Sequence, residues 1–207
     1  MKPKFITFEG GEGSGKTTII NNLIKDLELK GIKAIKSREP GGSKISEEIR
    51  NVILNVENTK MDYVTEALLY AASRRQHLQE VIKPALEQGL TVICDRYVDS
   101  SLAYQGYARG LGIDEVYNLN LYATGGLLPD LTIFIDVIPE EGLKRIDTNH
   151  RNKDRLDLET IKFHHLVRDG YLEVVKKFKE RIKVVDGNKS KEEVYNQVKE
   201  IVFKCIE

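Results

Sequence analysis

The sequence of 207 residues predicts an α/β fold in which a parallel sheet is covered by helices on both faces. Three observations carry that expectation. Short β-rich runs alternate with stretches of helical period along the chain. The stretches between runs are long enough for helical crossovers of ten or more residues, as parallel pairing requires. The runs are also apolar nearly throughout, as strands buried on both faces are.

The first run is Phe5-Ile6-Thr7-Phe8, ending at glycines. Residues 16–30 follow with Ile19, Ile20, Leu23, Ile24 and Leu27 at helical spacing, and Gly31 terminates them. A weaker strand is expected over 33–37. Ile45, Ile49, Val52 and Ile53 mark a second helix, and a long helical pattern covers about 62–88 before Gly89. Thr91-Val92-Ile93-Cys94 is a buried strand stopping at Asp95, and Leu131-Thr132-Ile133-Phe134-Ile135 is another, stopping at Asp136. Phe163, Val167, Tyr171, Val174 and Phe178 share one face of a later helix. Ile182 to Val185 supply the fifth strand, and residues 190–205 the last helix. The length, near the ~100–200 residues of a typical domain, and the lack of a linker or repeat make residues 1–207 one domain.

Composition removes several classes of function. Hydrophobic residues make up 41%, too many for a disordered chain. Lys+Arg and Asp+Glu both number 32, so no global basic field points to a nucleic-acid partner. The two cysteines cannot form a disulfide framework, and the four scattered histidines have no zinc spacing. No apolar run approaches the ~18 residues of a membrane span. The first residues, MKPKFITFEG, lack the apolar stretch of a signal peptide. A cytoplasmic location with no membrane partner is the resulting expectation.

Ligands of such sheets bind at the carboxyl ends of the strands. After the first strand come Gly10, Gly11, Glu12, Gly13, Ser14, Gly15, Lys16 and Thr17, then Thr18. This is G-x-x-x-x-G-K-[ST] between a strand and a helix, the context that distinguishes a phosphate cradle from a glycine-rich turn. Glycines let backbone N–H groups converge on a phosphate, and the following helix adds its positive dipole end. Lys16 can reach the β- and γ-phosphates, and the Thr17 hydroxyl can bind Mg2+. Asp95, after another strand, can hold the same cation, and Arg96 beside it can grip a second phosphate. Together these residues predict a three-layer P-loop fold acting on a nucleoside triphosphate. A GTPase would need N-K-x-D, and Asn188-Lys189-Ser190-Lys191 fails at its last position. A motor or DNA-handling module fits poorly with a neutral, single-domain chain. A small kinase acting on a metabolite or nucleotide remains.

Further segments narrow the class: Phe8-Glu9-Gly10 through Thr18, Arg38-Glu39-Pro40-Gly41-Gly42, Ala71-Ala72-Ser73-Arg74-Arg75, Asp95-Arg96-Tyr97, Ala103-Tyr104-Gln105-Gly106, Pro129-Asp130-Leu131-Thr132 and Arg155-Leu156-Asp157. At these segments, over nearly its whole length, the chain resembles the thymidylate kinase family, the dTMP kinases of the nucleoside monophosphate kinase group. The resemblance implies a five-stranded P-loop kinase with a short lid, expected here over about 147–157. It implies ATP as co-substrate with Mg2+, dTMP as acceptor, dTDP as product and a homodimer. Another deoxynucleotide or deoxynucleoside kinase is the alternative, and a nucleotide switch or binding module a more distant one.

The resemblance also implies roles for individual residues. ATP would occupy residues 10–18, with Arg145 and the turn Asp186-Gly187-Asn188-Lys189 near the adenine. Arg38, Arg50 and Arg96 would approach the acceptor phosphate, and Glu12 the sugar hydroxyl. Tyr70 and Arg74 lie four apart on one helix and so on one face. The Tyr70 ring would stack on the base, where the family commonly has Phe, and Arg74 would bond the base edge. Ser101 and Gln105 would complete its recognition, since an amide both donates and accepts. The stretch Asp147–Arg155 has no apolar residue and reads as an exposed loop. Because this cradle carries no arginine, the resemblance puts the catalytic arginines in the lid, at Arg151 and Arg155.

Overall fold

The structure, a computed structural model, describes residues 2–148 and 154–207. Five parallel strands form one sheet: β1 (Phe5–Glu9), β2 (Ala34–Arg38), β3 (Thr91–Asp95), β4 (Leu131–Asp136) and β5 (Ile182–Asp186), in the order β2-β3-β1-β4-β5. β1 is central, so its carboxyl end, where the glycine loop begins, lies beside those of β3 and β4. Phe8 pairs with Asp95 on one side and Ile133 on the other.

The pleat divides the strand side chains between two cores. Ile6 and Phe8 of β1, Ile93 of β3 and Ile133 and Ile135 of β4 face α1 (Lys16–Leu29) and α9 (Lys191–Ile206), whose Leu23, Leu27, Val198 and Val202 are fully buried. Phe5, Val92, Cys94 and Phe134 face the opposite layer. That layer includes α3 (Tyr63–His77), α6 (Ile113–Thr124) and α8 (Ile161–Lys177). Phe163, Val167, Tyr171 and Val174 are buried on one face of α8 as expected, while Phe178 lies just past its end. Asp62 and Thr160 cap α3 and α8 with their side chains, and Ser190 with Glu193 forms a capping box on α9.

Three features depart from the periodicity. The helix expected over 62–88 is present but not uniform: a π-helical turn at Leu78–Ile82 separates α3 from α4 (Lys83–Glu87). A helical segment follows β3, with α5 at Val98–Ser101 and a π-helical stretch at Leu102–Ala108. Its residues through Gly106 are buried, so it has no amphipathic stripe to betray it. After β4 comes α7 (Pro139–Thr148), so Asp147 and Thr148, expected to open the lid, are helical. The remaining helix, α2 (Lys44–Leu54), packs against α3.

Candidate active site

The carboxyl ends of β1, β2 and β3 open into one cleft of about 600 Å³. Of the residues singled out in the sequence, Glu12 through Thr18, Arg38, Arg50, Tyr70, Arg74, Asp95, Arg96, Ser101, Gln105 and Arg145 line it. Gly10 and Gly11 contribute carbonyls behind the cradle. Arg155 does not line the cleft, and Arg151 lies outside the described residues.

The cradle needs its glycines for space. Gly13 has φ +68°, and a Cβ there would sit 1.9 Å from the Gly142 carbonyl oxygen of α7. Lys16, the first residue of α1, folds back over the loop. Its Nζ donates to Gly10 O and Gly11 O at 3.1 Å and to Ser14 Oγ at 2.9 Å. Burial, and secondly Arg96, push the ammonium down to about 8 against the pull of Asp95, Glu12 and Glu9. Next to it, Thr17 Oγ1 donates to Asp95 Oδ2 at 3.1 Å. The two expected cation ligands are therefore neighbours, although 78 residues separate them. Among the described residues no group of three His, Cys, Asp or Glu forms a metal cage. One hydroxyl and one carboxylate suit a hard ion that keeps its waters and binds substrate phosphates, as Mg2+ does.

Arg96 is held in the left-handed region at φ +70°, unusual for a non-glycine residue and costly unless its surroundings enforce it. They do so through its side chain. Nη1 donates to Gly10 O at 3.0 Å, Tyr171 Oη at 3.0 Å and Ser100 Oγ at 3.3 Å, and Nη2 donates to Glu12 Oε1 at 2.6 Å. Tyr104 donates to the same Glu12 oxygen at 2.9 Å. Glu12 is thus tied to Arg96 in this structure. Behind them Glu9, the last residue of β1, is fully buried and accepts from Tyr97 N, Ser100 Oγ and Tyr171 Oη. Burial, and then Asp99, raise its carboxyl to about 7.

The other arginines are placed by turn and helix. Arg38 donates to Pro40 O and to both oxygens of Glu47 while staying half-exposed. Arg50 donates to Pro40 O from α2, and burial, then Arg38, lower its pKa. Arg74 is only 1% exposed. It donates from Nε to Glu39 at 2.7 Å, from Nη1 to Ser101 Oγ at 3.0 Å and to Asn120, and from Nη2 to Tyr97 O at 2.8 Å. It is a buried strut of the cleft wall. Tyr70 is buried one turn before it. Gln105 Nε2 donates to Glu66 at 2.9 Å. At the far end Arg145 donates to Gly187 O at 3.1 Å, which joins the two groups expected near the adenine.

Arg155 corrects the expectation of a solvated loop. Its side chain is 10% exposed. Its Nε donates to Ile53 O at 2.8 Å and its Nη2 to Glu66 at 2.5 Å. A fully buried carboxylate on α3 and the free carbonyls ending α2 draw it inward, an attraction that the local run of polar residues does not reveal.

The sequence reading gives no site role to Glu9, Glu39, Glu66, Tyr104, Asn120 or Tyr171. Glu9, Glu39 and Tyr104 stand in segments that carry the resemblance, and Tyr171 on the apolar face of α8. Glu66 also carries a signal: it lies one turn before Tyr70 and two before Arg74, hence on the same face of α3.

Comparisons with known proteins show the family. Residues 8–198 match the family model described as thymidylate kinase. A protein of Bacillus pumilus named thymidylate kinase is 56% identical over 203 residues, 98% of this chain and 96% of its own length. One of Clostridium novyi with the same name is 55% identical over 96% of this chain and 97% of its own. The crystal structure of a thymidylate kinase from Ehrlichia chaffeensis superposes with a TM-score of 0.79 at 33% identity, covering 98% of this chain and all of that one.

Proposed function

The chain belongs to the thymidylate kinase family, and we propose that its cleft carries out the reaction of a dTMP kinase with the residues assigned below. The γ-phosphoryl group of ATP passes to the phosphate of dTMP, giving dTDP and ADP. One observation carries the reading: Lys16 Nζ and Arg96 Nη1 both donate to Gly10 O, at 3.1 and 3.0 Å. In this reading Lys16 serves the donor phosphates and Arg96 the acceptor phosphate, so two cations stand close together where a phosphoryl group would pass.

In this reading the loop 10–18 and the start of α1 hold the ATP phosphates, and Lys16 exchanges its carbonyl partners for them. Arg145 and the turn at 186–189 border the adenine. Arg96, Arg38 and Arg50 hold the dTMP phosphate, Glu12 meets the sugar, and Tyr70, Arg74, Ser101 and Gln105 form the base site. Thr17 and Asp95 hold Mg2+, which would neutralise charge on the β- and γ-phosphates. Phosphoryl transfer depends on such positioning and charge neutralisation more than on covalent help. The lid spans about 147–157 in a single domain of 1–207. Arg151 is its candidate for the transferring group, and Arg155 takes part as the anchor of the lid's carboxyl-terminal end.

Two further expectations accompany the reading. Ile45 and Val52 on α2, Val64 and Leu68 on α3 and Tyr122 on α6 are exposed, and they suit a homodimer face. Sedimentation at the monomer mass would remove that part. No helix among the described residues is long and apolar enough to cross a membrane, which accords with a cytoplasmic site of action, testable by fractionation. The function itself is tested by incubating the protein with ATP, dTMP and Mg2+ and separating the nucleotides. Equimolar ADP and dTDP are expected, and ADP without dTDP would overturn the assignment.

A further inference from the structure

Glu66 is the most heavily bonded carboxylate in the base-side wall, and nothing in the transfer chemistry uses it. Its side chain is fully buried on α3. Oε1 accepts from Gln105 Nε2 at 2.9 Å and from Arg109 Nε at 3.4 Å. Oε2 accepts from Arg155 Nη2 at 2.5 Å and from Arg109 Nη2 at 3.4 Å. Arg109 also donates to Glu159 at 2.6 Å, so two guanidiniums balance two carboxylates. A carboxylate has about four acceptor sites and no donor. Here all four are filled.

The consequence falls on Gln105. Its amide could point either end at the cleft. An acceptor-only neighbour makes the NH2 group face Glu66, because a carbonyl turned that way would meet a second acceptor. Gln105 Oε1, which takes no protein hydrogen bond among the described residues, is then left as the end available to the cleft that Gln105 lines.

We propose that Glu66 is a positioning residue that fixes this orientation and thereby selects the acceptor base. A carbonyl oxygen presented to the base edge accepts from the N3–H of a thymine or uracil ring. It opposes the N3 lone pair of cytosine. A buried polar group left without a partner is what lets a site reject an analogue strongly. Through Arg155 the same carboxylate also holds the carboxyl-terminal end of the proposed lid, so the base wall and the lid anchor share one residue.

This inference rests on the reading of Gln105 as a base contact, and the experiment separates the two. The ratio of kcat/KM for dTMP to that for dCMP is measured for wild type, Glu66→Gln, Glu66→Asp, Gln105→Leu and Glu66→Gln/Gln105→Leu, with ATP saturating and folding checked by circular dichroism. Glu66→Gln gives Gln105 a neighbour that can donate as well as accept. Glu66→Asp keeps the charge for both arginines but withdraws the carboxylate, and it decides the matter if Glu66→Gln does not fold. Both are expected to lower the dTMP/dCMP ratio by about tenfold or more, while the KM for ATP stays within about twofold. In the Gln105→Leu background, Glu66→Gln is expected to leave the ratio unchanged. A folded Glu66 variant with the wild-type ratio, whatever its melting temperature, overturns the proposal. An unchanged ratio and dTMP KM in Gln105→Leu would instead remove the base-contact reading beneath it.

Discussion

Lys16 and Arg96 converge on a single atom, the carbonyl oxygen of Gly10, at 3.1 and 3.0 Å. Two like charges so close lower the affinity of Lys16 for its proton, in addition to the larger effect of burial. In the free enzyme the lysine is charged below about 8 and loses its charge above it. On the proposed reading ATP binds the charged form. The Kd for ATP, measured by calorimetry without acceptor, is therefore expected to rise as pH passes about 8, approaching tenfold per pH unit. Stability moves the other way. Between about 8 and the ordinary 10.5 the unfolded chain binds more protons at this site, so this contribution to stability grows with pH. Lys16→Ala is expected to fold, to bind ATP weakly with no step near pH 8, and to show no measurable transfer. Near-normal turnover in that variant would remove the cradle from the mechanism.

Thr17 and Asp95 lie 3.1 Å apart, which suits the proposal that both hold one Mg2+ ion. Thr17→Val keeps the shape of the side chain and removes the hydroxyl. The Mg2+ concentration giving half-maximal rate is expected to rise by about 10–100-fold, with activity partly recovered at high Mg2+. An unchanged Mg2+ dependence would place the cation elsewhere.

Arg74 joins Glu39, Ser101, Asn120 and Tyr97 O, and removing it leaves Glu39 a buried carboxylate that has lost its guanidinium. Arg74→Ala is therefore expected to cost about 3–5 kcal/mol in denaturant unfolding. It would also raise the dTMP KM more than the ATP KM. A loss below about 1 kcal/mol would mean that the strut carries little of the fold.

The two lid arginines are expected to part company. Arg155→Ala breaks an ion pair with buried Glu66 and a bond to the end of α2, so it would lower the melting temperature and raise the dTMP KM. Arg151→Ala is expected to lower kcat by at least about tenfold, or ~1.4 kcal/mol of barrier, with both affinities nearly unchanged. Wild-type turnover in Arg151→Ala would make the lid a plain connection.

The contrast between these residues marks what the sequence could carry. Strand runs such as Val92-Ile93-Cys94 and the helical period of α1 and α8 are local patterns, and they recur in the structure within a residue or two. The cradle was legible for the same reason: its glycines, Lys16 and Thr17 are consecutive. Thr17 and Asp95 could be paired because both follow neighbouring strands. The segment at 98–108 was missed because burial nearly all round leaves no amphipathic stripe. The sequence places Arg155 in an exposed lid as a catalytic arginine because its buried partner, Glu66, is 89 residues away. No spacing rule brings those two together. Only the packing of α2 and α3 beside Arg155 does so.

Coupled ADP release from ATP, measured side by side with dTMP, dUMP, dCMP, dGMP, AMP and thymidine, tests whether this cleft transfers a phosphoryl group to thymidine monophosphate. Rapid release is expected with dTMP, weaker release with dUMP, which lacks only a methyl group worth about 1–3 kcal/mol, and little with the others. Release that is equally fast without any acceptor, or fastest with thymidine or AMP, would contradict it.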